Sequence, residues 1–133
     1  MDYVKDVIKN IDKMKIDIFP VGKVRSRAND RQEIEIYEEF SEALEGIEKF
    51  KYLWIIFWLH KISPQDRKVL QVHPQGNISI PKRGVFSTRS PVRPNPIGLT
   101  KVEFLKREKN IIFVRGLDAL EGSPILDIKS SND

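Results

Sequence analysis

Apolar residues in this chain recur at two different periods. Over residues 1–15, Val4, Val7, Ile8, Ile11 and Met14 fall at helical spacing with Lys and Asp between them, which predicts an accessory amphipathic helix. From Ile16 onward the period shortens to that of strands. Residues 18–24 read as a strand near a sheet edge, because Pro20 cannot donate to a ladder. Ile34 and Ile36 alternate with Glu33 and Glu35, the mark of a half-buried strand. Ser41 is placed to cap a short helix, with Glu42 in its first turn and Gly46 at its end. Residues 52–59 are apolar at nearly every position and predict a central strand covered on both faces. Residues 69–72 and 78–80 read as short strands around the turn residues Pro74, Gly76 and Asn77. Residues 102–105 and 111–114 form a hairpin across Lys109-Asn110, and residues 125–128 close the set. Short strands with few helices predict an all-β or β-rich barrel. No Gly-x-Gly-x-x-Gly follows a strand, so the α/β nucleotide-binding fold is not indicated.

Composition narrows the picture. A chain of 133 residues, 40% hydrophobic and 32% charged, suits one soluble domain with a modest core. The absence of cysteine removes disulfides, thiolate metal sites and cysteine nucleophiles, and His60 and His73 alone are too few for a zinc site. No metal is therefore expected. The apolar run at residues 53–59 is too short to span a bilayer and residues 1–15 are too charged for a signal peptide, so a cytoplasmic protein without a membrane partner is expected. The net charge of +4 is unevenly spread. No acid lies between Asp66 and Glu103, while Arg67, Lys68, Lys82, Arg83, Arg89, Arg93 and Lys101 do; residues 30–48 hold eight acids against Arg31 alone. A basic stretch of that kind fits a polyanion-binding surface, or a charged surface paired across the fold.

The basic stretch contains an unusual loop. Pro91, Pro94 and Pro96 remove three amide donors within six residues, and Ser90, Arg93 and Asn95 are each biased toward extended backbone. The result is a stiff loop that displays Arg89, Arg93 and Asn95 and has little ordering entropy left to lose on binding. Thr88-Arg89-Ser90-Pro91 followed by Arg93-Pro94-Asn95-Pro96-Ile97-Gly98-Leu99 resembles the signature loop of the TsaA-like domain family. The segment Tyr52-Leu-Trp-Ile-Ile-Phe-Trp-Leu-His60 resembles that family's apolar strand ending in His. Leu117-Asp-Ala-Leu-Glu-Gly-Ser-Pro-Ile-Leu-Asp-Ile-Lys129 resembles its late loop-and-strand motif. The likeness runs from about residue 18 to residue 129.

This resemblance implies a mainly β fold, a TsaA-like β-barrel of short strands over residues 16–133, preceded by the accessory helix of residues 1–15. It implies a homodimer that uses S-adenosylmethionine to methylate N6 of threonylcarbamoyladenosine beside the anticodon, with a tRNA anticodon stem-loop as partner. Carried over residue by residue, it places His60, Lys61, Arg89, Leu99, Asp118, Ala119, Leu120 and Glu121 at the cofactor. Arg89 is the foremost of these, because a planar guanidinium can grip a carboxylate with two parallel bonds. Lys82, Arg83 and Arg93 are expected to face the RNA. Methyl transfer needs in-line alignment, and loss of the N6 proton needs an acceptor. Asp118, Glu121, Asp127, His60 and the Asn95 amide oxygen are the candidates, with Asn95 and Asp127 assigned the catalytic role. Trp54 and Trp58 are expected in the core.

The chain also departs from the family pattern. Its Pro-Arg-Gln segment after the first strand is shortened to Asp30-Arg-Gln32, Glu121-Gly122 stands for Asp-Gly, and Ser130-Ser-Asn-Asp133 follows Lys129 where Pro-Tyr is usual. No second C-terminal domain is expected. These departures leave room for a non-catalytic module that binds S-adenosylmethionine or RNA. A generic basic barrel for single-stranded RNA would need exposed stacking aromatics, which are few.

Overall fold

Strict alternation sets the inner wall. In the computed structural model, which describes residues 11–132, Gln32, Ile34 and Ile36 are all buried on one face of strand β2 (Arg31–Ile36). The other long strands are β1 (Gly22–Ala28), β3 (Tyr52–Trp58), β6 (Ile97–Glu108), β7 (Ile111–Arg115) and β8 (Pro124–Ser131). They form a closed barrel in the order β1-β2-β7-β6-β3-β8 with every neighbouring pair antiparallel. Two short strands, β4 (Gln71–Val72) and β5 (Arg83–Gly84), pair outside it. Closure leaves the six strands with no free edge, and inward side chains fill the interior. Val24, Ile34, Leu53, Ile55, Val102, Ile112, Val114 and Ile125 are at most 1% exposed there.

The mainly β character and scarcity of helix agree with the sequence pattern; four details do not. β1 starts at Gly22, so Ile18 and Phe19 precede it and stay exposed, with Phe19 stacked on Phe40 at 5.8 Å. The short helix is a 3₁₀ segment, Glu38–Leu44, that starts three residues before Ser41, with no side-chain cap. Residues 78–80 form no strand; β4 pairs with Arg83–Gly84 instead. β3 is central but not covered twice: its burial alternates, with Leu53, Ile55 and Phe57 inward and Tyr52, Trp54, Ile56 and Trp58 half-buried outside. The two tryptophans are therefore outside the core. Cations cover that face, with Lys101 Nζ 6.0 Å from the Trp54 ring and Arg67 5.5 Å from that of Trp58. Of the helix expected over residues 1–15, residues 1–10 lie outside the described residues, and Ile11–Lys13 form one 3₁₀ turn.

One end of the barrel gathers the irregular connections. Because β3 is antiparallel to both β6 and β8, its last residues lie beside their first: Trp58 opposite Ile97, Phe57 opposite Ile125. The segments after β3, before β6 and before β8 therefore meet at that end.

Candidate functional site

A cleft at this end is lined by the three sequence motifs together. One half, about 420 Å³, lies between Arg89–Pro91, Arg93, the start of β6 at Ile97–Thr100, and Asp118. The other half, about 260 Å³, lies between Leu59–Ile62, Pro91 and Asp118–Leu120. Phe57, Leu59, Pro91 and Asp118 line both halves, so the two adjoin. Seven of the eight expected cofactor contacts lie on its walls: His60, Lys61, Arg89, Leu99, Asp118, Ala119 and Leu120. Glu121 does not; it occupies the exposed tip of the turn beside Gly122.

The proline-rich loop is braced from within. The Thr88 hydroxyl donates to the Val85 carbonyl at 2.9 Å and accepts the Ser90 N–H at 3.1 Å. The Ser90 hydroxyl accepts the Val92 N–H at 3.1 Å, and Arg93 Nη1 donates to the Ser90 carbonyl at 2.7 Å. Arg89 Nη2 donates to the Leu99 carbonyl at 3.1 Å, tying the loop to β6. Neither Arg89 nor Arg93 is ion-paired among the described residues; the acids that pair do so with Lys106, Arg107, Arg115 and Lys129. Arg93, expected on the RNA side, lines the same half of the cleft as Arg89. Two guanidiniums without carboxylate partners make this wall a receptor for a carboxylate or phosphate.

The opposite wall is held through its backbone. Both backbone polar groups of Leu117 are held: its N–H donates to Oε1 of buried Gln32 at 2.9 Å, and its carbonyl accepts from Arg27 Nη2 at 3.0 Å. Asp118 follows, and its carboxylate accepts the Thr100 hydroxyl at 2.5 Å. The turn then closes with Gly122 at φ 85°, its N–H donating to the Val24 carbonyl at 2.8 Å. Gln32 and Arg27 are functional positions missed from sequence alone. An inward-facing Gln in register with Ile34 and Ile36 was the available signal, since a polar group on a core face needs a partner.

The two residues expected to be catalytic are not on the cleft walls. Asn95 is held between the rigid Pro94 and Pro96, and its Oδ1 accepts from Arg67 Nη2 at 3.2 Å. Arg67 also donates to the Pro94 carbonyl at 2.7 Å. Asp127 pairs across the sheet with outward Ile56, so its carboxylate projects from the barrel and meets Lys129 Nζ at 3.3 Å. The carboxylate and imidazole that the cleft does hold are those of Asp118 and His60. Arg83 lines a neighbouring cavity across the Thr88–Pro91 strap, and Lys82 is exposed beside it.

This end of the barrel thus offers paired guanidiniums, a carboxylate, an imidazole and apolar walls from Phe57, Leu59, Leu99, Ala119 and Leu120. Such a set suits a ligand with a zwitterionic end and a flat, largely apolar body.

Comparison with known proteins places these features in context. Residues 20–131 match the model of the tRNA-methyltransferase O N-terminal domain. A protein of Methanothermobacter thermautotrophicus described as a probable S-adenosyl-L-methionine-binding protein is 45% identical, the match covering 87% of this chain and 90% of that one. The human tRNA (adenine(37)-N6)-methyltransferase is 42% identical, over 78% of this chain but only 23% of the human protein. The crystal structure of TrmO from Pseudomonas aeruginosa superposes with a TM-score of 0.68 at 29% identity, covering 89% of this chain and 56% of that one. The chain spans little more than half of that solved protein.

Proposed function

Since the chain belongs to the tRNA-methyltransferase O N-terminal domain family, we propose that its cleft binds S-adenosylmethionine and that it methylates N6 of an adenosine in the anticodon loop of tRNA. The observation that carries this reading is the convergence of three distant segments on one cleft whose two arginines lack carboxylate partners. The fit is chemical. Arg89 and Arg93 suit the carboxylate of the methionyl end, and the apolar wall from Leu59 to Leu120 suits the adenosyl body.

When bound, the cofactor supplies a methyl group on a sulfonium. The protein's own task is alignment, and Arg89, locked to the Leu99 carbonyl, fixes one end of the site. N6 of the target adenine, bearing its carbamoyl group, is a weak nucleophile, and its proton must leave as the new carbon–nitrogen bond forms. His60 and Asp118 are the proton acceptors within the cleft, and we assign the base to that pair in place of Asn95 and Asp127. Asp118 is already a hydrogen-bond acceptor from Thr100, which holds its carboxylate toward β6. Lys82 and Arg83, exposed on the acid-free stretch, are assigned to phosphate contacts. The target is the threonylcarbamoyl-modified adenosine, the setting is cytoplasmic, and residues 16–133 carry the chemistry.

We assign the homodimer to the outer face of β3 and β6. There Ile97, opposite Trp58, and Leu99, opposite Ile56, are 40% and 45% exposed, and both also line the cleft.

Calorimetric titration with S-adenosylmethionine, followed by methyl transfer to tRNA carrying threonylcarbamoyladenosine, tests the reading. Saturable binding and incorporation of one methyl per target site are expected. Binding without any transfer would reduce the protein to a cofactor-binding module, and no binding would end the reading altogether.

A further inference from the structure

The strap that carries Arg89 has a second side. Across Thr88–Pro91 from the cleft lies a larger cavity, about 700 Å³, walled by residues 72–76 with Ile80, Arg83 and Ser87. Thr88, Arg89, Ser90 and Pro91 line both spaces. We propose that this second cavity is a subsite for the RNA nucleotide next to the target adenosine, held by His73 and Arg83. The proposal rests on the reading that RNA is the methyl acceptor and names where a second nucleotide of that acceptor sits.

Charge favours it first. No carboxylate lines the cavity, and Arg83 has no ion-pair partner among the described residues. An exposed guanidinium at the rim of an acid-free cavity is placed for a phosphate. His73 supplies directional chemistry. Its Nδ1 lies 2.8 Å from the Ile80 carbonyl oxygen, which can only accept, so Nδ1 carries a proton in that bond. Nε2 makes no hydrogen bond among the described residues, and in the neutral ring it can accept from a ribose hydroxyl or a base amine. The remaining lining mixes apolar Val72, Pro74, Ile80 and Pro91 with polar Gln75, Ser87, Thr88 and Ser90. Imidazole and pyrrolidine rings are surfaces against which an unstacked base packs. The volume falls within the roughly 300–1,000 Å³ of small-ligand sites.

The construction of the loop points the same way. Gly76 N–H bonds the His73 carbonyl and Asn77 N–H the Pro74 carbonyl, each at 3.0 Å, while Ser79 N–H bonds Asn77 Oδ1 at 3.0 Å. Gln75 is held at φ 55°, a left-handed conformation that a side chain adopts at some cost. Apart from Pro74 this bracing buries little, since Ile78 is 84% exposed at the loop's tip. What it does is fix His73 and Ile80 opposite the strap. A strand of RNA lying across the strap would place one nucleotide in the cleft and the next in this cavity, with Arg89 common to both.

The test pairs a change in the protein with a change in the RNA. The 133-residue chain, as wild type, His73→Ala and Arg83→Ala, is assayed for methyl transfer to anticodon stem-loops that are intact or abasic on the 5′ or the 3′ side of the target. Removing the base that packs in the cavity should raise the wild-type KM about tenfold for one of the two abasic RNAs. His73→Ala should raise KM on intact RNA by a similar factor, and the abasic lesion should add little to it. Arg83→Ala should raise KM and lower the logarithmic salt slope by about one. Affinity for S-adenosylmethionine, measured by calorimetry, should match wild type in both variants. If neither abasic RNA is impaired on wild type, the subsite is overturned, whatever the variants do. It is equally overturned if the lesion and His73→Ala multiply as independent losses. A wild type that binds S-adenosylmethionine but methylates none of the RNAs overturns the acceptor reading itself, and the subsite with it.

Discussion

Gly98 lies opposite Phe57 across β6 and β3, and the pair sits beneath the cleft. A Cβ at Gly98 would come within 2.4, 2.5 and 2.8 Å of Phe57 Cζ, Cε2 and Cε1. Carbon atoms pack at about 3.5–4.0 Å, so the ring edge would have to retreat by about 1 Å. Phe57 is 4% exposed and belongs to the core cluster, and its ring also forms part of both halves of the cleft. Retreat into the core is overpacking, which costs about 1–3 kcal/mol. Retreat the other way takes space from the ligand. Gly98→Ala should therefore lower stability by about 1–3 kcal/mol and weaken S-adenosylmethionine binding in the same variant. A loss of that size corresponds to a fall in Tm of roughly 3–6 °C per kcal/mol for a chain of this length.

A second substitution isolates the cause. Phe57→Leu removes all three ring atoms that the new Cβ would meet, at a cost of about 1–2 kcal/mol for the lost packing. In Gly98→Ala/Phe57→Leu the clash is gone, so the double variant should be at least about 1 kcal/mol more stable than the sum of the two single losses. Equilibrium urea denaturation measures the three differences, and thermal melting with and without S-adenosylmethionine reports the cleft. Additive losses, or a Gly98→Ala variant as stable as wild type with full cofactor affinity, would refute the steric argument.

Three further outcomes are expected. Arg89→Ala should weaken S-adenosylmethionine binding by about 2–4 kcal/mol, because a ligand carboxylate would be left without its partner, and Arg89→Lys should not restore it, since an ammonium cannot make the parallel pair of bonds; calorimetric affinity equal to wild type would remove Arg89 from the site. Gln32→Ala should cost about 1–3 kcal/mol by leaving the Leu117 N–H unpaired, with faster hydrogen exchange at that amide; an unchanged exchange rate would show that the loop is not held through Gln32. Lys82→Ala should weaken tRNA binding modestly and lower the logarithmic salt slope by about one while cofactor affinity stays constant, and a loss of turnover at saturating tRNA would contradict its assignment to phosphate.

The parts of the fold that could be read from sequence are those where one face is apolar and the other is not. β2 alternates Gln32, Ile34 and Ile36 against Glu33 and Glu35, and the β6–β7 turn falls where the charged residues cluster at Lys109-Asn110. β3 misled because its outward residues are apolar too. Nothing in an unbroken run from Tyr52 to Trp58 distinguishes a strand between two layers from one whose outer tryptophans face the charged groups of Lys101 and Arg67. β1 was displaced for the opposite reason. Its residues Arg25–Arg27 are polar, and the strand is held by barrel hydrogen bonds to β2 while Val24 reaches the core. Ladder bonds leave no trace in hydropathy, so Ile18 and Phe19 drew the boundary too early.

The site divides in the same way between what side chains do and what peptides do. The family resemblance placed Arg89 and Leu99 together and Arg93 on the RNA side; prolines stiffen the loop, and the structure adds the bonds from Thr88, Ser90 and Arg93 that close it and put all three on one cleft. The opposite wall depends on the path of residues 117–123, and that path is set from the β1–β2 hairpin. Arg27 and Gln32 clamp the carbonyl and N–H of Leu117, and Val24 engages Gly122 and Ser123 through its own backbone groups. Side-chain identity at the tip of the turn matters little in such an arrangement. Glu121 in place of the usual Asp is off the cleft wall, whereas Gly122 at φ 85° is where a left-handed turn requires glycine. The shortened segment ending in Asp30-Arg-Gln32 keeps Gln32, the residue whose side chain holds the loop. The Glu121 departure thus falls where the backbone leaves freedom. The positions that hold the cleft in shape, Gln32, Gly98 and Gly122, carry no reactive group.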